Sequence, residues 1–117
     1  MDDSVEILIG PERVDVSGSP ASFASIAEDL RAVAVGERAE AAGTAWICRR
    51  ANDPIRVRVD RGQVDIAGGA QLLSLAAWFE ALALRPGVRV DVGWYPGHPY
   101  LSENATTLRL ACDGSSG

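Results

Sequence analysis

Between Gly93 and Asn104 the chain reads GWYPGHPYLSEN, which gathers an indole, two phenols, two prolines and its single histidine into one short stretch. An imidazole beside a carboxylate can move a proton, and Asp91 and Glu103 are the carboxylates that stand nearest His98 in sequence. Nucleophilic catalysis asks for more, namely a Ser or Cys with a base and a group that orients the base. No serine stands in a G-x-S-x-G elbow, and Cys48 lies in no nucleophile motif. Cys48, Cys112 and His98 are too few and too widely spaced for a zinc site. Gly18, Gly68 and Gly69 follow a strand pattern and precede a helix pattern, as a phosphate loop does. Neither GxxxxGK[ST] nor GxGxxG is present, however, and the glycine recurs in both halves as a structural turn would. No catalytic, cofactor or metal site is expected. The remaining chemistry is recognition, since Tyr95, His98 and Tyr100 are amphipathic side chains of the kind that interfaces enrich. The competing reading is structural: Tyr100 and Leu101 fold back over a helix and cover Trp78.

The elements that must position these residues follow from a near-repetition of the chain at an offset of fifty. Val5, Ile7 and Ile9 fall on Ile55, Val57 and Val59, and Val14, Val16 and Gly18 fall on Val64, Ile66 and Gly68. VEILI and IRVRV alternate at the period of half-buried strands, and GPER and DRGQ are hairpin turns. After VDVSG and VDIAGG the apolar spacing becomes helical. Ser19 is a good N-cap with Pro20 at the first helical position, where a missing N–H costs nothing. Gly36 and the RPG at 85–87 end the two helices. Further strands are expected at about 44–49, 88–92 and 106–111. Each half then reads strand, strand, helix, strand, as pseudo-repeats 5–50 and 55–111 of a single domain covering 1–117. The expected fold is α+β: a two-layer domain with a mainly antiparallel sheet of about seven strands and both helices on one face.

With the valine and isoleucine rows beneath the helices, the other sheet face carries Glu6, Arg13, Asp15, Arg56, Arg58, Asp65, Arg89 and Asp91. That face is either solvated, with cross-strand ion pairs, or a flat recognition surface on which Arg56 and Arg58 meet an acidic group. The first helix is an ordinary amphipathic one, burying Phe23, Ile26, Ala27 and Leu30. The second, QLLSLAAWFEALAL, carries Leu73, Trp78 and Leu84 off its core stripe, which points to contact with the aromatic stretch, a second copy or a partner. The partner-binding candidates are therefore Trp78, Tyr95, His98, Tyr100, Arg56 and Arg58. An alternative is an apolar ligand held between the two repeats, lined by Trp46, Trp78, Trp94 and Tyr100.

A net charge of −5 excludes the clustered cations that bind nucleic acid and favours a basic protein partner. All 11 cations are arginine, as a GC-rich coding sequence produces. No apolar run reaches the ~18 residues of a membrane span. The acidic N-terminus leads directly into a strand pattern and is not expected to be a targeting segment, so a disulfide between Cys48 and Cys112 is not expected. The NAT at 104–106 would then be an idle sequon, and a cytoplasmic location is expected.

The run VDVSGSPASFASIAEDLRAV, followed later by PYLSENATTLRL, resembles the immunity protein 32 family of bacterial polymorphic-toxin systems. The likeness lies in a strand–Gly–Ser–helix opening and a closing P…YL…(S/T)xxLxL tail, and it covers about half the chain. It implies a small α+β protein that blocks a cognate toxin by binding it, without catalysis. It supplies no individual site residue.

Overall fold

A computed structural model describes residues 5–43, 45–85, 87–103 and 105–112. Thr44, expected to open a strand, Pro86, expected to end the second helix, and Asn104 of the sequon lie outside the described residues. The elements run β1 (Glu6–Ile9), β2 (Arg13–Gly18), α1 (Pro20–Ala34), β3 (Glu40–Ala42), β4 (Trp46–Arg50), β5 (Arg56–Asp60), β6 (Gln63–Gly68), α2 (Leu72–Leu84), β7 (Arg89–Val92) and β8 (Thr107–Cys112).

The α+β class stands, but the single sheet of about seven strands does not. The strands form two four-stranded sheets, ordered β1-β2-β8-β7 and β3-β4-β6-β5. Both sheets are mixed, because β2 runs parallel to β8 and β4 runs parallel to β6, while every sequential hairpin is antiparallel. Each helix therefore carries the chain from one sheet to the other. The reason the expectation failed is physical: alternation marks strands and short turns mark hairpins, but neither encodes which distant strand completes a sheet. The three-residue β3 was also too short to show a period, so each half has two strands after its helix.

The duplication is visible in the pairing itself. Ile7 faces Val16 in the first hairpin, and Val57 faces Ile66 in the second, each fifty residues on. Val14 faces Leu108 across the parallel pair of one sheet, and Val64 faces Trp46 across that of the other. The two halves thus exchange their second hairpins, each half contributing one hairpin to each sheet.

One core joins everything. Val14, Val16, Leu108 and Leu110 from one sheet, and Trp46, Cys48, Val64 and Ile66 from the other, belong to a single buried cluster with both helices. Phe23 of α1 meets Phe79 of α2 with ring centroids 5.2 Å apart, and an Arg31–Glu80 ion pair links the exposed sides of the helices. Buried aliphatic and aromatic area of this kind is the main source of stability.

The glycine that ends β2 and β6 has a packing cause. A Cβ on Gly68 would lie 2.8 Å from Ile55 Cγ1 and 3.3 Å from the Ile55 backbone, and one on Gly18 would lie 2.9 Å from Val5 Cγ1. Ile55 is fully buried and cannot retreat. Gly68→Ala is expected to cost about 1–3 kcal/mol by overpacking. A urea melt of the variant would test this, and a midpoint equal to the parent's would show that the strand end has slack.

Helix ends show where two charged residues of CRRANDPIRVRVDR go. Ser19 caps α1 as expected, its Oγ accepting the Ser22 N–H at 3.1 Å. At the other end, Arg50 Nη1 donates to the Val33 carbonyl at 2.9 Å and also to that of Ala34. The N-terminus of α2 has no cap from its own Gln71 side chain. Asp53 supplies one from the β4–β5 connection, accepting the N–H groups of Gly69 (2.9 Å) and Gln71 (3.2 Å). Asp53 thus caps amides at the start of α2, and Arg50 adds a cation at the end of α1, where the Val33 carbonyl also accepts the Gly36 N–H at 3.2 Å.

A candidate binding cleft between the second helix and the β7–β8 connection

The site is an asymmetry laid over the duplication. In the first half, β3 and β4 are joined through residues 43–45; in the second, β7 and β8 are joined through 93–106. This extra chain crosses to the other sheet and docks on the edge of β5. The Ile55 N–H donates to the Tyr100 carbonyl (2.8 Å), Ser102 N–H to the Ile55 carbonyl (2.8 Å), and Thr106 N–H to the Val57 carbonyl (2.8 Å). Ile55 and Leu101 form a parallel bridge, and Leu101 is 3% exposed. The aromatic stretch is thus anchored at one end in the core.

Ahead of the anchor, the sequence sets a turn. His98 N–H donates to the Tyr95 carbonyl at 2.9 Å, and Gly97 has φ of +87°. Pro followed by Gly at the two central positions is the signature of a type II turn, since only Gly takes that φ without strain. The turn stacks Tyr95 on His98, centroids 4.7 Å apart, and His98 meets Tyr100 edge-to-face at 4.5 Å. The indole N–H of Trp78, from α2, donates to the Tyr100 hydroxyl at 2.8 Å. Burial raises the pKa of that phenol, so it stays protonated. Together with Asp91 and Pro99 these four side chains line a cleft of about 360 Å³. Trp78 is 39% exposed and Tyr95 56%, so the walls face solvent.

Of the six candidates, Trp78, Tyr95, His98 and Tyr100 are brought together. Leu101 is core, as the structural reading of the stretch expects, while Trp78 and Tyr95 remain exposed. Arg56 and Arg58 are not part of this group. They lie on the outer face of β5, in a separate shallow cleft of about 330 Å³ with Asp65 and Ala67. Arg58 stands opposite Asp65 in the register, and on the other sheet Arg109 binds Asp91 through Nε at 2.8 Å. Leu73 and Leu84 are exposed but do not line the aromatic cleft. Nor do Trp46, Trp78, Trp94 and Tyr100 share one groove between the halves. Trp46 lines the interior instead, where the free space is about 20 Å³. By that measure about 10–15 Å³ holds one water, so the interior has room for about one water and not for a ligand.

The neutral ring of His98 is held in one tautomer by geometry. Its Nδ1 accepts two backbone N–H groups, those of Tyr100 (3.2 Å) and Leu101 (3.1 Å), so the ring proton sits on Nε2. Neither Asp91 nor Glu103 is the partner of Nδ1, which departs from the acid–base arrangement weighed from the sequence. Burial lowers its pKa from the ordinary 6.5. Because the unfolded chain binds the proton more readily than the native one, this contribution is complete above about pH 6.5 and is lost as pH falls below it. Acid should therefore release the Tyr100 and Leu101 amides. An NMR titration of the His98 Cε1 proton is expected to give a midpoint below 6.5, and a midpoint above 6.5 would count against the double acceptor geometry.

What the cleft offers is π surface and the phenol oxygens of Tyr95 and Tyr100. The nearest thiol chemistry is absent from it, since Cys48 is buried in β4 and burial, aided by Asp65 and Asp29, pushes its pKa up to about 12. Among the described residues no three His, Cys, Asp or Glu side chains gather as metal ligands. No helix is long and apolar enough to cross a membrane. Fold and cleft together define an α+β protein with a solvent-facing aromatic cleft. Comparison with protein-family models, with curated proteins and with solved structures finds no match.

Proposed function

We propose that this chain is a non-catalytic binding protein of the immunity type, which neutralises a cognate toxin by holding it at the aromatic cleft. The observation that carries the reading is a set of solvent-facing rings, Trp78 on α2 and Tyr95 on a connection that is hydrogen-bonded into the neighbouring sheet. Aromatic side chains presented rigidly lose little conformational entropy on binding and are the usual anchors of protein interfaces. The net charge of −5 adds steering toward a basic partner. The likeness of the β2–α1 and closing segments to an immunity family supports the same direction. The test is to purify the chain with the product of the adjoining gene and assay that product's toxic activity at increasing ratios. Inhibition complete at one equivalent is expected. Full toxic activity in the presence of excess protein would sink the proposal.

A further inference from the structure

The geometry points to the class of group that the cleft takes: we infer that it seats the guanidinium of an arginine side chain carried by a basic protein partner. This rests on the binding role proposed above and names what the same site recognises.

The argument starts from the walls. Trp78, Tyr95 and Tyr100 present rings whose faces carry negative charge density, and a cation over such a face is attracted, arginine most often because its flat guanidinium also stacks. The fourth ring, His98, would oppose a cation only when protonated, and the two backbone N–H groups that its Nδ1 accepts favour the neutral imidazole. The Tyr100 hydroxyl accepts the Trp78 indole N–H and keeps a second lone pair for an incoming N–H donor. Asp91 borders the cleft through β7, but its carboxylate is paired with Arg109 Nε (2.8 Å) and Nη2 (3.3 Å) on the outer sheet face, so the cleft's own acceptors are the phenols. An apolar anchor would desolvate the phenol oxygens of Tyr95 and Tyr100 without replacing their lost water contacts. A guanidinium, with five donors, replaces them. The cleft volume of about 360 Å³ leaves room for the head group and the stem behind it. The surplus of 16 carboxylates over 11 arginines gives the whole molecule the sign that draws such a partner in.

The experiment uses the full chain and three capped tripeptides: glycine-arginine-glycine, its citrulline counterpart of the same shape but no charge, and glycine-leucine-glycine. Nitrogen–proton NMR follows the indole N–H of Trp78, with that of buried Trp46 as the internal reference. The expected result is a saturable shift at Trp78 alone, with the arginine peptide binding about tenfold more tightly than citrulline. Tyr95→Ala should weaken the arginine peptide about fivefold or more while the Trp46 signal stays in place. Equal binding of arginine and citrulline, preference for leucine, or no shift at Trp78 would each overturn the inference. So would dimerisation in light scattering that Tyr95→Ala abolishes, because the occupant would then be a second copy. None of these outcomes touches the toxin-inhibition assay, and a failed inhibition assay with arginine selectivity intact would remove the immunity reading alone.

Discussion

Leu101→Ala is expected to destabilise the protein by about 2–5 kcal/mol, the cost of deleting a buried leucine and leaving a partly collapsed cavity. In a domain of this size that corresponds to a thermal midpoint lower by roughly 10 °C or more. Leu101 is 3% exposed and sits between the backbone bonds that tie the β7–β8 connection to Ile55. The duplication provides an internal comparison for how much this docking matters. Ile55 and Val57 are fully buried, whereas their counterparts Val5 and Ile7 on β1 are only partly buried. Leu8, exposed on β1, is the control: Leu8→Ala should change stability by no more than about 0.5 kcal/mol. Thermal and urea melts of the two variants decide the matter. If Leu101→Ala melts with Leu8→Ala, the connection is a surface loop and the cleft above it is not preformed. The same variant should speed hydrogen exchange at the Ile55 and Thr106 amides, whose acceptors belong to the opposite side of the junction.

What could be read from the sequence divides along a clear physical line. Period and capping are local, so both helices, the Ser19 cap and the hairpins at β1–β2 and β5–β6 were legible, as was the fifty-residue repetition. The turn after β5 is a good instance, because Arg61 and Gly62 both take positive φ and close the hairpin in two residues. Sheet composition is not local. That β2 should lie beside β8, and β4 beside β6, depends on pairings across most of the chain, and a central parallel pair leaves no mark in an alternating pattern. The aromatic stretch was legible as a cluster of interface-type residues and as a break in strand structure. Its docking on β5 was not, because three main-chain bonds to Ile55 and Val57 carry it and no side-chain signal announces them. The roles of Arg50 and Asp53 were not legible either, because a helix end formed elsewhere in the chain claims each of them.

The largest functional effect is expected from Tyr95→Ala, which should weaken capture of the cognate partner roughly 30-fold, the scale of a 2 kcal/mol hot spot. Stability should hardly change, because Tyr95 is 56% exposed and its ring contact is with His98 at the mouth of the cleft rather than with the core. Trp78→Ala should weaken capture by a similar factor and also cost about 1 kcal/mol of stability, since it removes the hydrogen bond that orients Tyr100. Two further variants separate the cleft from the other surfaces that the sequence left open. Leu84 is the most exposed apolar residue of α2 and lies outside the cleft lining, so Leu84→Ala tests whether the helix flank alone makes the contact. Arg58→Ala tests the charged outer face of β5. Both are expected to bind within about twofold of the parent, as residues away from an interface centre do. Calorimetric titration of the four variants, each first checked for an unchanged far-ultraviolet spectrum, gives the comparison directly. If Leu84→Ala or Arg58→Ala loses as much affinity as Tyr95→Ala, the partner sits on a different face, and the aromatic connection serves only to close the gap between the two sheets.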